Sequence, residues 1–395
     1  MRVRDTPQTL AVSVRLCVHP AGASRRVVRI AWYPMVRWRS GTVVAVRRRW
    51  HGAAEVDVAL PDGATLRALA YPELVGDPEP GDRVLLNVGA LVMGLGTGGY
   101  ALVVALPDRL PADPPQDGTT RDAGHLVKAR YTPLQPIVLG ADEDASPHRA
   151  VLADAHDVAG MPVVTADLHS ALPAVVAGVH ADRPDARVAY VMTDGGALPA
   201  WFSRTLDGLR GTLAGTVTVG QAFGGDLEAT NVHSGLLAAR HALRADVAVV
   251  AQGPGNLGTG TRWGFSGVAV GEAVNAVAAL GGRPVGSLRI SAADPRPRHR
   301  GLSHHSVTAY GRVALAPADL VVPDGLDADL AAEVDAALQP LLARHRVVRV
   351  DPAGLDAALR AAPVGLSTMG RGLDADHGYF LAAAAAGRHA ATLLG

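Results

Sequence analysis

The sequence predicts an α/β protein, with a small N-terminal β-barrel-like domain followed by a mostly parallel α/β sheet domain and a helical C-terminal cap. Three observations predict it. Short β-like runs with tight turns fill residues 35–107, a Pro- and Asp-rich stretch follows at 108–123, and strand-length apolar runs then alternate with amphipathic helical stretches.

Taken in order, residues 1–34 come first and stand apart. They hold the single cysteine, Cys17, and scattered arginines, without a clear period. They lack the compact apolar core and small-residue cleavage site of a signal peptide. They read as a leader before a natural start at Met35, or else as a disordered basic arm. Strands are expected over 42–46, 55–60, 65–70, 83–87 and 100–106, with turns at Trp50-His51-Gly52, Pro61-Asp62-Gly63 and Pro80-Gly81-Asp82. Strands this short, without a helical stretch among them, suit a small barrel. Arg47, Arg48 and Arg49 could touch nucleic acid, but a solvated hairpin tip accounts for them more simply. Residues 108–123 read as an interdomain linker.

From residue 124 to about 325 the pattern is strand, polar turn, helix, repeated. Strands are expected over 136–139, 162–165, 187–192, 216–219, 246–251 and 284–290. Helices are expected over 148–159, 171–181, 199–209, 231–243 and 267–280. Continuous apolar strands between amphipathic helices indicate a parallel sheet covered on both faces. Residues 326–395, with helices over 327–343 and 378–394, complete the chain as a cap.

Composition narrows the function classes. Hydrophobic residues make up 48% and charged residues 19% of 395 residues, a folding composition too long for one core. Thirty-seven basic residues balance 37 acidic ones, so no global field favours nucleic acid or an anionic membrane. One cysteine fits a reducing compartment, and no run has the length of a membrane span. A cytoplasmic bacterial protein is the expectation, and a homo-oligomer is compatible with it.

Parallel α/β sheets bind ligands at the carboxyl ends of their strands. The unusual polar residues fall there: Asp167 and His169, then Asp194, then Gln221 and Asp226. After the fifth strand come Gln252, Gly253, Gly255, Asn256, Gly258 and Thr259, and after the sixth Arg296, Arg298, His304 and His305. Gly253, Gly255 and Gly258 fit G-x-G-x-x-G, a glycine-rich loop whose amides could approach a phosphate. The next helix begins late, and the acidic residue of a dinucleotide site is missing at its usual distance, so a general anion cradle or plain close packing competes. Asp167, His169, Asp194, Asp226, Glu228, His233, His304 and His305 could together hold a divalent ion, Mg²⁺ or Mn²⁺ on a carboxylate-rich set, although no diagnostic metal spacing is present. Adjacent His304 and His305 would point opposite ways on a strand. Among 37 basic residues Lys128 is the one lysine, which singles it out for a phosphate contact, general base or Schiff base, against chance survival on a surface. A G-x-S-x-G nucleophile elbow is lacking.

Several stretches also carry a likeness. Gly94-Leu95-Gly96-Thr97-Gly98-Gly99-Tyr100, residues 124–135 (GHLVKARYTPLQ), residues 253–261 (GPGNLGTGT) and Leu302-Ser303-His304-His305 resemble a bacterial family catalogued as domain of unknown function 3866. The resemblance spans about residue 35 to the C-terminus and implies no activity or catalytic residue. From the residues alone, the expectation is an enzyme, a hydrolase or group transferase, acting on a small anionic or phosphorylated metabolite. Asp167, His169, Asp194 and Lys128 would do the chemistry, and the remaining strand-end residues would bind substrate. The alternatives are a non-catalytic metabolite sensor or adaptor and, less favoured, a nucleic-acid-associated protein.

Overall fold

The computed structural model describes residues 36–113 and 124–395. The expected leader over 1–34, the start at Met35 and linker residues 114–123 lie outside the described residues. By its contacts the chain divides into two compact units. The first is built mainly from residues up to 109, and the second comprises residues 48–54, 71–77 and 110–395.

The first unit contains a closed barrel of β1 (Trp38–Trp50), β2 (Ala53–Ala59), β3 (Thr65–Ala70), β4 (Arg83–Asn87) and β5 (Ala101–Ala105). The strand order is β1-β2-β3-β5-β4, with β3 and β5 parallel and β4 antiparallel to both of its neighbours. Alternation decides which side chains fill it: Val56, Val58, Val84, Leu86, Ala101 and Val103 are buried. Closure also removes the exposed edge strands.

The core of the second unit is an eight-stranded parallel sheet. Its strands are β6 (Pro162–Ala166), β7 (Val188–Thr193), β8 (Gly215–Thr218), β9 (Leu227–Glu228), β10 (Val247–Gln252), β11 (Arg283–Ser287), β12 (Asp319–Pro323) and β13 (Arg346–Val350). They lie in the order β9-β8-β7-β10-β6-β11-β12-β13. The central strands β6 and β10 are buried at every position, which is why they read as unbroken apolar runs. Alternate residues enter different cores. Val164, Tyr190 and Val249 join one, which includes α1 (Leu172–Asp182), and Val163, Val191 and Ala248 join the other, which includes part of α2 (Ala269–Ala279). A third core gathers around Leu288, Tyr310 and Leu320. It includes Ala309, which directly follows the short helix α3 (His304–Thr308).

The C-terminal helix α4 (His377–Thr392) crosses α1 at two glycines. A Cβ on Gly178 would sit 1.9 Å from the Ala384 carbonyl oxygen, and one on Gly387 would sit 2.0 Å from that of Val175. Only glycine permits this backbone approach.

The sheet departs from the sequence expectation at its margins. The stretch 136–139 does not join it; Ile137–Val138 pairs antiparallel with Leu126–Val127 instead. The helix expected over 148–159 is a single turn, Arg149–Leu152. The one expected over 199–209 divides at Ser203, whose side chain caps the second piece, Arg204–Gly208, by accepting from the Leu206 amide. Strand β13, inside the stretch read as a helical cap, adds an edge to the sheet.

Topology then locates the crevices. The connection leaving β6 runs toward β7, whereas that leaving β11 runs toward β12, so the loops part between β6 and β11. They part again between β7 and β10. Ligands of such sheets bind where loops diverge.

Candidate functional site

The two crevices are filled differently. Between β7 and β10 the backbone closes on itself. The Gly253 amide donates to the Thr193 carbonyl (3.2 Å), the Ala197 amide to that of Pro254 (2.7 Å), and a Cβ on Gly196 would lie 2.1 Å from the Gly253 oxygen. Asp194 beside it is exposed and accepts from the Gln221 amide at 2.9 Å.

Between β6 and β11, by contrast, charged and imidazole side chains converge. Asp167 follows β6 and is buried; its Oδ2 lies 3.3 Å from His305 Nδ1 and 3.7 Å from Arg289 Nη1. Burial pushes the Asp167 carboxyl up, but the His305 hydrogen bond and the Arg289 charge outweigh it, and the group stays below its ordinary value. Arg289, 3% exposed, follows β11 and also reaches Asp294 Oδ2 at 3.3 Å. Arg296 forks onto Asp294 at 2.9 and 2.8 Å, and Arg371 approaches it at 3.3 Å. The Arg296 hydrogen bonds, opposed by burial and helped by the Arg296 and Arg289 charges, hold Asp294 far below the carboxylate range.

Three imidazoles complete the cluster. The ring centroids of His299, His304 and His305 are 4.9, 4.7 and 4.5 Å apart, and one nitrogen of each lies within 4.8 Å of the other two. His299 Nδ1 is 2.8 Å from Ser303 Oγ, and Phe265 stacks flat on His305 at 3.8 Å. His304 Nε2 is buried without a hydrogen-bond partner. Burial first, then neighbouring charges including Arg289 and His305, lowers His299 to about 3 and His304 to about 4. Arg298, exposed, contributes to the effect on His304, and its guanidinium approaches Gly260 in the loop after β10.

That loop forms an arm that pairs with itself. Gly258 bridges to Phe265, the Thr259 amide donates to Gly264, and the Leu257 amide donates to Ser266 Oγ. At its base Gln252 Nε2 donates to the Asp167 carbonyl (2.7 Å) and to Asn256 Oδ1 (2.9 Å), leaving Gln252 Oε1 buried without a partner. A small cavity lined by Asp167, Thr193, Gln252, Ser266 and Gly267 adjoins them.

The structure thus brings together Asp167, Gln252, Asn256, Arg296, Arg298, His304 and His305 around the β6–β11 crevice and the base of the arm. Besides Asp194, it places four other expected residues elsewhere. His169 is buried with both nitrogens used, Nδ1 against Tyr190 Oη (2.9 Å) and Nε2 against Ser203 Oγ (2.7 Å), and burial lowers it to about 4. Asp226 stands at the amino end of β9, accepting from the Thr216 amide and hydroxyl at 2.8 Å each, so it is away from the carboxyl edge. Gln221 accepts from the Arg130 amide at 3.0 Å.

Lys128, expected to open onto the cavity, has no exposed surface. Its Nζ donates to the carbonyls of Ala222 (2.8 Å), Ala229 (3.0 Å) and Thr218 (3.4 Å) and lies 3.3 Å from Glu228. Burial pulls the ammonium down and pushes the Glu228 carboxyl up, each opposed by the other's charge. A four-acceptor shell around one nitrogen is the environment of a charged ammonium.

Sequence reasoning missed Arg289, His299, Ser303 and Phe265. The spacing His299-x₄-His304-His305 was the available signal for one of them. Arg289 was hidden at the end of an apolar run.

Fold and site together define an α/β protein wound on both faces of a parallel sheet, with a histidine-rich crevice where its loops diverge. The chain belongs to the family described as Protein of unknown function (DUF3866), which matches residues 67–387. None of the curated proteins and none of the solved structures matches it. Among the described residues, no helix is long and apolar enough to cross a membrane.

Proposed function

We propose that the chain is a cytoplasmic enzyme, a hydrolase or group transferase, acting on a small anionic metabolite at the β6–β11 crevice. The observation that carries this is the buried Asp167 carboxyl held between His305 and Arg289 where the loops part. A carboxylate kept charged beside imidazoles can take part in proton transfer. Arg298 supports the anionic substrate class, because it is exposed beside this cluster with no ion pair among the described residues. Arg296 is committed to Asp294 and serves as scaffold in this arrangement.

The test is a thermal-shift and turnover screen of phosphomonoesters, phosphodiesters and carboxylates, followed by Arg298→Ala. Losing one charged hydrogen bond, about 1.5–3 kcal/mol, should weaken the best ligand roughly 10- to 100-fold. Stabilisation without turnover would favour a non-catalytic sensor. If no anion stabilises the protein, both readings fail.

A further inference from the structure

We propose that His299, His304 and His305 form a binding site for one transition-metal ion of the zinc class, coordinated through their three Nε2 atoms. The site goes beyond the anion reading and stands without it.

Three features on these residues converge. First, a nitrogen from each ring lies within 4.8 Å of the other two. Three nitrogens about 2.0–2.1 Å from a tetrahedral ion would be roughly 3.3 Å apart, so modest ring tilts close the set. Second, Nδ1 of His305 faces Asp167 and Nδ1 of His299 faces Ser303 Oγ. Nδ1 of His305 lies nearer the Asp167 carboxylate (3.3 Å) than Arg289 Nη1 (3.5 Å), and with its hydrogen directed at that carboxylate Nε2 is left to ligate. Carboxylate or hydroxyl behind a ligating imidazole is how proteins orient histidine on a metal. Third, His304 Nε2 is buried without a partner, a condition that native structures rarely leave unexplained. An ion at the centre of the three rings explains it.

The donor chemistry selects the ion. Three imidazoles suit Zn²⁺, Co²⁺ or Fe²⁺, whereas Mg²⁺ prefers oxygen. The carboxylates expected to hold Mg²⁺ or Mn²⁺ are engaged separately: Asp167 stands behind His305, Asp194 accepts from the Gln221 amide, Asp226 from Thr216, and Glu228 lies against Lys128. Three protein ligands also leave a fourth position for water or a ligand, as in catalytic and not structural zinc sites.

The experiment strips the full-length protein with a chelator, dialyses it against Zn²⁺ or Co²⁺, and measures bound metal by elemental analysis. One ion per chain is expected. Co²⁺ should give the visible bands of tetrahedral nitrogen coordination, and Zn²⁺ but not Mg²⁺ should raise the melting temperature of the wild-type protein. His299→Gln and His304→Gln should abolish the bound ion. Asp167→Asn, which leaves all three ligands in place, should weaken it about 10- to 100-fold. No thermal shift of the wild type with Zn²⁺ overturns the proposal without recourse to a variant. So does metal that survives both histidine substitutions. Arg298→Ala should leave the metal content unchanged, so loss of anion binding there and loss of metal at the histidines report on separate claims.

Discussion

Lys128 provides the sharpest quantitative test of how the second unit is held together. Its Nζ meets three carbonyls at 2.8, 3.0 and 3.4 Å and Glu228 at 3.3 Å, with no solvent contact. Lys128→Met would leave Glu228 charged and buried without its partner, a loss of about 3–5 kcal/mol. That is a large part of the ~5–15 kcal/mol by which a folded protein is stable. Lys128→Arg keeps the charge, but a planar guanidinium cannot aim three hydrogens at carbonyls converging on one point. It must also fit extra atoms into a closed space, for a loss of about 1–3 kcal/mol. Glu228→Gln should rescue part of the Lys128→Met defect, because the buried charge then disappears with its partner. Urea unfolding followed by circular dichroism gives all four corners of this double-mutant cycle. If Lys128→Arg unfolds at the wild-type midpoint, or the cycle closes within about 0.3–0.5 kcal/mol of additivity, Lys128 is not the peg described. If Lys128→Arg instead keeps full stability and loses ligand binding, a functional role stands in its place.

Two further outcomes follow from buried positions. His169 should make the fold acid-sensitive: its native value is lowered from 6.5 to about 4 by burial, so the unfolded chain takes up a proton first as pH falls. Stability is then retained above about pH 6.5 and lost toward pH 4, by roughly 3 kcal/mol in all. His169→Gln should flatten that slope in urea titrations at successive pH values, and an unchanged slope assigns the acid sensitivity to other groups. Gly178→Ala should destabilise by about 1–3 kcal/mol, because its Cβ meets the Ala384 carbonyl at 1.9 Å. A melting temperature equal to that of the wild type would mean that α1 and α4 can part without cost.

The sequence was most legible where burial is uniform. The barrel strands announce themselves by alternation and by Pro-Asp-Gly and Pro-Gly-Asp turns, and β6 and β10 by unbroken apolar runs. Edges were harder. β13 carries three valines in five residues, but only Val350 is buried, and the short run was passed over within the stretch read as a helical cap. The candidate site was legible as a region, since topology sends polar loops to one edge, but not as a list of side chains. Asp167 and His169 are two residues apart, and one meets Arg289 while the other is locked between Tyr190 and Ser203. His304 and His305 were expected to diverge, as neighbours on a strand do. Ser303 instead caps α3 by accepting from the His305 amide, and the first turn of that helix brings both rings beside His299. A serine immediately before two histidines was the missed start signal. The solitude of Lys128 suggested chemistry at the site, whereas its ammonium is enclosed by backbone carbonyls and Glu228.

The glycines around β10 show how packing and chemistry divide one loop. Gly253 is required because its Cβ would lie 2.4 Å from the Ala197 oxygen, and Gly195 because its Cβ would lie 2.6 Å from Gln252 Oε1. Gly253 sits in the motif that suggests a phosphate loop, yet its contact and that of Gly195 serve interlocking of two turns. Gly255 takes φ +92°, reversing the chain where the arm departs. Steric needs thus account for two glycines of the motif, whereas a Cβ on Gly258 would lie 3.8 Å from its nearest neighbour, an ordinary contact. What the closed β7–β10 crevice provides is a fixed base: Gln252 grips the Asp167 backbone, and the arm returns to lay Phe265 on His305. A rigid floor on one side and a ring stacked on the other limit the motion of the Asp167–His305 pair. Such restraint is what a site needs if its carboxylate and imidazoles are to act on a ligand and not on each other.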